Sequence, residues 1–140
     1  MEEKSMKPDP KAEGERWMRQ AERDLEDARY LREGKRYNLA CFMGHQAGEK
    51  ALKFYLYSQG AEDVWSHSLA DLCEDAKIIN MMFDVIKSHA VLLDKYHDLT
   101  RYPHMLPSGI PSEAYDDVDA ERAIMIAEEV ITFVKTQTIA

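Results

Sequence analysis

Glycine and proline are scarce in this 140-residue sequence, with six and five copies respectively. That scarcity excludes the glycine- or proline-rich disordered and fibrous classes and leaves long stretches free for helix. Cysteine is scarcer still. Cys41 and Cys73 fall inside helical patterns, form no closely spaced metal motif, and read as small buried hydrophobes in a reducing compartment. No apolar run approaches the roughly 18 residues that span a bilayer, and the opening stretch MEEKSMKPDPKAEG lacks the apolar segment of a secretory signal. A cytoplasmic protein without a membrane partner is expected. Positive charge is also short: 18 Lys and Arg stand against 26 Asp and Glu, a net of -8. Such a chain repels polyanions at long range, which excludes a broad nucleic-acid-gripping surface but leaves room for a small local cationic site. Residues 112–140 hold seven acidic and two basic residues, so this end is expected to face away from any phosphate. There is no internal repeat, low-complexity tract or glycine-rich phosphate loop.

What is present is helical periodicity. Residues 1–12 are expected as a flexible tail and residues 13–138 as one helical domain, large enough for a core without staples. The first helix is expected from Glu13 to Glu33, with Trp17, Ala21, Leu25, Ala28 and Leu31 facing the core and Gly34 ending it. Arg16, Arg19 and Arg23 share this helix; acidic neighbours such as Glu15 make them a salt-bridged solvent face rather than a phosphate track. The second helix, Tyr37 to Gln59, carries the small residues Ala40, Gly44, Ala47 and Ala51 in one stripe, which lets a neighbouring backbone come close. Gly60 is its stop. His45 and Glu49, four apart on this helix, are too few to hold a metal, and hydrogen bonding across a helix interface is the preferred reading.

Ser68 and Asp71 have capping-box spacing, so a short third helix should begin near Ser66 to Ser68 and reach about Ala76, with His67 in a capping or packing role at its entrance. A fourth helix is expected from Met81 to Thr100 with two stripes. Met82, Ile86, Ala90 and Leu93 form one, and Val85, Leu92, Tyr96 and Leu99 the other. Its two histidines, His89 and His97, are about 12 Å apart along such a helix, too far to share one ion. Pro103 disfavours helix at Tyr102 and ends it near Arg101. A loop follows, and a final helix capped by Asp116 or Asp117 shows the stripe Ala120, Ala123, Ile124, Ala127, Val130, Ile131 and Val134. The expected fold is all-α: an antiparallel up-down four-helix bundle with one additional short helix.

Ordered landmarks along nearly the whole chain carry a resemblance. "RDLEDAR", "YNLACFMGHQAGEKALKFYL", "HSLADL", "TRYP" and "DAERAIMIAEEVITFV" together resemble the HEPN domain, the family named for higher eukaryotes and prokaryotes nucleotide-binding. The resemblance implies a four-helix bundle that commonly forms a homodimer and is often paired with a minimal nucleotidyltransferase in a toxin and antitoxin-like system. It also implies that active members are metal-independent ribonucleases in which an Arg is followed after four to six residues by His. Here Arg101 and His104 have two residues between them, and Pro103 is one of the two. The "TRYP" form resembles a branch usually described as binding a nucleotide or small molecule.

The candidate residues are therefore Arg101 and His104 as a catalytic pair, and Arg101, Tyr102 and His97 as ligand-binding groups. A guanidinium gives phosphate a fixed fork of donors; alternatively, Arg101 pairs with Asp98 or caps the helix end. A histidine is the usual side chain for moving a proton near neutral pH, and His104 could do so. Tyr102 could stack on a base, or fill the edge of the core. No metal site or cofactor is expected. The expected function is a nucleotide- or nucleic-acid-phosphate-binding module acting with a minimal nucleotidyltransferase. The alternative is a metal-independent ribonuclease toxin.

Overall fold

A computed structural model describes residues 9–138; most of the expected tail, residues 1–8, lies outside the described residues. Every regular element among the described residues is helical. They run as α1 (Pro10–Glu33), α2 (Tyr37–Ser58), α3 (Leu69–Ile79), α4 (Phe83–Ala90), α5 (Pro111–Ala114) and α6 (Asp117–Gln137), with 3-10 segments at Val91–Tyr96 and Pro103–Met105. Pro10 starts α1 at the position where a missing N–H costs nothing, and Asp9 caps it by accepting from Ala12 N at 3.1 Å. Three residues link α1 to α2, which forces the two long helices to run antiparallel.

α2 is the central element. α1, α3, α6 and the Val91–Tyr96 segment all pack against it. The small-residue stripe explains the tightness: Ala40, Gly44, Ala47 and Ala51 are buried, and a Cβ on Gly44 would stand 3.2 Å from both the Cβ and the carbonyl oxygen of Ala123 on α6. α6 buries its whole expected stripe, and its entrance is a complete capping box in which Asp116 and Asp119 each accept the other's backbone N–H. Arg32 on α1 binds Asp117 through two nitrogens, at 2.7 and 2.9 Å, and Arg29 pairs with Glu128, so α1 and α6 are also tied at the surface. Cys41 and Cys73 are free and buried, and burial pushes both thiols up to about 12.

Several expectations need correcting in detail. Gly34 ends α1 as expected, with φ -82, and the left-handed position falls on the next residue, Lys35, with φ 62; Gly60 takes φ 102 just after α2. Arg16 pairs with Glu13 and Arg23 with Asp27, rather than Arg19 with Glu15. Ser68 accepts from Asp71 N at 3.2 Å, but Asp71 turns its side chain to Ser66, so only half of the capping box forms, and α3 runs on to Ile79. Phe83, not Met82, heads the buried stripe of α4. Beside the expected stripe of α6, Ile126 is also buried and Phe133 packs against the core, edge-on to Phe83 at 5.0 Å between ring centres.

The fourth helix departs most. It is α-helical only to Ala90 and then tightens to a 3-10 segment through Tyr96. Ala90, Leu93 and Tyr96 are all buried, and their spacing of three matches the three residues per turn of a 3-10 helix. A second pull comes from Asp94, whose carboxylate accepts from Leu69 N at 2.7 Å, Ala70 N at 3.1 Å and Ser68 Oγ at 3.1 Å, satisfying the orphan donors at the start of α3. The tightened turn puts Asp94 and His97 on one side.

Candidate phosphate site at the end of the fourth helical segment

The side facing α2 and α3 is a cleft of about 380 Å³ whose lining includes His45, His67, Asp94, Lys95, His97 and Asp98. α2 contributes His45 to this lining, and Glu49 and Lys53 follow it one and two turns on along the helix, all three buried. His45 Nε2 lies 3.1 Å from the carbonyl oxygen of His67, so that nitrogen is the donor. Its Nδ1 lies 3.1 Å from Gln46 Oε1, and with the ring hydrogen on Nε2 this contact becomes a hydrogen bond once the Gln46 amide is turned about to present its NH2 end. Burial lowers the His45 pKa from the ordinary 6.5, overcoming the pull of Glu49, so the neutral form is the resident one.

Glu49 sits beneath, 4% exposed, taking Lys53 Nζ at 2.8 Å and His67 Nδ1 at 3.0 Å on Oε2. Burial works to raise its pKa, but the hydrogen bonds from Lys53 and His67 outweigh that and hold it below 4.5. Its Oε1 has no hydrogen-bond partner among the described residues and lies 3.9 Å from His45 Nδ1. The His67 ring reaches out over the cleft, 64% exposed, and stacks on His97 at 5.6 Å between ring centres. His97 Nδ1 is in turn 3.0 Å from Asp98 Oδ1.

Arg101 stands next to this cleft. Its Nε donates to the carbonyl oxygen of His97 at 2.8 Å, and its guanidinium carbon lies 4.1 Å from the Phe42 ring centre and 5.0 Å from that of Tyr102. The two outer nitrogens are held loosely, at 3.4 Å from Asp98 Oδ1 and 3.5 Å from Tyr102 Oη. The fork is thus fixed by its stem and by a cation–π contact, with its outer edge available. Behind it, Thr100 is buried and donates to Tyr96 O, while Asn38 of α2 donates to Thr100 O at 3.0 Å. These bonds fasten the end of the segment to the bundle.

Of the residues singled out from sequence, Arg101, Tyr102 and His97 come together. His104 lies in the Pro103–Met105 turn, exposed, with its ring 6.0 Å from the Tyr102 ring centre, and no hydrogen bond links it to Arg101 among the described residues. Sequence reasoning gave no ligand-binding role to His67, Glu49 or Asp94. A signal existed for one pair: His45 and Glu49 form an unusual polar line on a helix otherwise lined with small and apolar residues. Nothing in the sequence connected that line to His67, 18 residues beyond Glu49. Among the described residues no group of three or more His, Cys, Asp and Glu side chains could hold a metal ion.

Comparison with known proteins fits this architecture. The HEPN domain family matches residues 14–137. TT1696 from Thermus thermophilus is similar at 32% identity with a TM-score of 0.83, over 89% of this chain and 97% of that one. An archaeal HEPN homologue, ST0689, is 41% identical with a TM-score of 0.73, over 89% and 96%. A HEPN domain protein from Thermotoga maritima is 34% identical with a TM-score of 0.69, over 87% and 96%. No curated protein matches. A match over nearly the whole chain, with the same fold at these identities, means that the protein belongs to the HEPN domain family.

Proposed function

We propose that this protein is a phosphate-binding module for a nucleotide or nucleic acid, with its site where the fourth helical segment ends at Arg101. The observation that carries the reading is the state of the guanidinium: anchored through Nε and by Phe42, it keeps its two outer nitrogens on long contacts of 3.4 and 3.5 Å that a phosphate would replace. Tyr102, exposed beside it, offers a ring on which a base can stack. Replacing Arg101 by Ala is expected to weaken binding of nucleotide or RNA by roughly tenfold or more, the scale of a charge-assisted hydrogen bond. The helical content should stay as in the wild type. Equal affinity of the two proteins, measured by calorimetry, would reject the site.

The same reading includes a homodimer and a minimal nucleotidyltransferase partner, in a toxin and antitoxin-like arrangement. Family membership supports both, and the placement with the "TRYP" branch rests on residues 100–103 alone. For the dimer there is also a surface: Ile78, Ile79, Met81, Met82 and Val85 are exposed around the turn from α3 to α4. Ribonuclease activity is the less favoured function. An efficient cut needs an acid or base and a cation held to a fraction of an ångström, and His104 stands exposed beyond Pro103 without a bond to Arg101. Little or no cleavage of single-stranded RNA in chelator is expected. Robust cleavage abolished by both Arg101→Ala and His104→Ala would reverse this ranking.

A further inference from the structure

The outer face of α1 carries charge of the sign this chain is short of. α1 holds five of the eight arginines and one of the ten lysines. Arg29 and Arg32 are taken by Glu128 and Asp117 of α6, which leaves Arg16, Arg19 and Arg23 exposed to solvent, with Gln20 among them. These four, with Glu13 and Trp17, line an open groove of about 550 Å³. Carboxylates do little to neutralise it. Glu13, the only acid in the lining, already accepts from Arg16 Nη1 at 3.0 Å and from Trp17 Nε1 at 3.1 Å; Arg23 meets Asp27 only at 3.4 Å, and Arg19 has no ion pair among the described residues. The side chains of Arg16 and Arg23 are each 70% exposed. A face that serves solubility alone carries lysine as readily as arginine, whereas arginine, tyrosine and tryptophan are enriched, and lysine depleted, where proteins bind one another. Tyr30, also exposed, continues the line, because Arg16, Arg23 and Tyr30 follow at steps of seven, close to two turns each.

Spacing and charge narrow the partner. Arg16, Arg19 and Arg23 are three and four residues apart and span about 10.5 Å of helix. A second helix laid along α1 can present carboxylates at the same steps, and a guanidinium meets a carboxylate in a planar, two-bonded geometry. A nucleic-acid strand fits less well. It brings a negative charge with every nucleotide toward a chain of net -8, and one face of the Trp17 ring is covered by Tyr57, stacked at 5.5 Å between centres and 16° between planes. An acidic helix can keep its charge on one side and bring apolar side chains to the edge of Trp17 and to Tyr30. We propose that the outer face of α1 at Arg16, Arg19 and Arg23 docks a helix of another protein that presents Asp or Glu at steps of three and four. This docking is independent of the phosphate site at Arg101 and of the apolar turn between α3 and α4.

The probe is a synthetic helical peptide with Glu at steps of three and four along one face. Its controls are the same peptide with Lys at those positions and a single-stranded RNA oligomer. Calorimetry measures affinity, and Trp17 emission places the contact: the chain has two tryptophans, and Trp65 is 82% exposed, so the full chain carrying Trp65→Phe reports from Trp17 alone. The Glu peptide is expected to bind saturably, to change Trp17 emission and to bind less tightly at high salt, whereas the Lys peptide does not bind. Arg19→Glu and Arg23→Glu are each expected to weaken binding by roughly tenfold or more, since each sets like charges against the peptide. Arg122→Glu, at an exposed arginine of α6 outside the groove, is expected to keep the wild-type affinity. Circular dichroism checks that every variant keeps its helical content. No saturable binding of the Glu peptide overturns the proposal, and so does binding that Arg122→Glu weakens as much as Arg19→Glu does, which would mean attraction without a site. Tighter binding of the RNA than of the Glu peptide, lost in Arg19→Glu, would give the groove to nucleic acid and overturn the choice of a protein. A wild-type oligomer that Arg19→Glu alone splits would give the face to a second copy of this chain and overturn the choice of another protein.

Discussion

Glu49 is the residue on which the polar interior turns. It is buried, it accepts from Lys53 and His67, and one oxygen goes unused, so its tolerance for losing a partner is small. Lys53→Ala is expected to cost about 3–5 kcal/mol, because a buried carboxylate then loses its compensating charge. Urea unfolding measures it, and a cost under 1 kcal/mol would mean that water reaches Glu49 freely. Acid should also expose the cluster, in two steps of known sign. His45 has its pKa lowered from 6.5, chiefly by burial, so its neutral form contributes in full above that pH and the contribution is lost as pH falls below it. Glu49 is held below 4.5, so its contribution is full above that value and is lost as pH falls through its folded pKa. Stability should therefore begin to decline below pH 6.5 and decline further below 4.5. In a His45→Gln variant the first part should flatten; an unchanged profile would reject the assignment.

Among the elements, α2 shows how a helix packs differently along one stripe. Gly44 faces the backbone of Ala123 on α6, and a Cβ there would meet atoms at 3.2 Å that cannot move without shifting the helix. Gly48 faces only the δ-methyl groups of Leu69 and Leu93, each at 2.9 Å, which are the far ends of side chains. Gly44→Ala should thus destabilise by about 1–3 kcal/mol, despite the gain of roughly 1 kcal/mol in helix propensity. Gly48→Ala should stay within about 1 kcal/mol of wild type, the same gain offsetting a closer contact that the ends of two leucine side chains relieve by turning. Thermal unfolding of the two variants decides it, and equal losses would show that the α2 to α6 approach is not the tighter of the two. The 3-10 segment teaches a related lesson. Its sequence, VLLDKY, holds no glycine or proline to mark a change of helix type. The change is imposed by burying residues at steps of three and by the demand of α3 for Asp94 as its cap.

At the scale of the whole molecule, several exposed apolar side chains gather in one stretch of the surface. The turn from α3 to α4 exposes Ile78 at 85% and Met81 at 71%, with Met82, Val85 and, further along, Leu92 also open. A second copy of the chain is the proposed occupant, and light scattering at micromolar concentration should give twice the chain mass. Val85→Glu is expected to shift that mass toward the monomer while leaving helical content intact, since this side chain contributes nothing to the core. A monomeric wild type would remove the idea. No helix of the described residues is long and apolar enough to cross a membrane.

Helix content, the order of the helices, the α2 and α6 stripes and the Asp116 cap were all legible in the sequence, because each follows from periodicity or from residues within one turn of each other. The nearness of Arg101 to His97 and Tyr102 was legible for the same reason. The cleft was not. His67 meets Glu49 across 18 positions and Asp94 meets Leu69 across 25, and such pairings appear only once two helices have been laid side by side. Tertiary packing also decided that the fourth helix would tighten, that Ile126 would be buried and that Phe133 would pack against the core. Local rules rank what each segment can do alone; burial of a shared interior chooses among those options, and here it was that choice which brought three imidazoles and three carboxylates together beside Arg101.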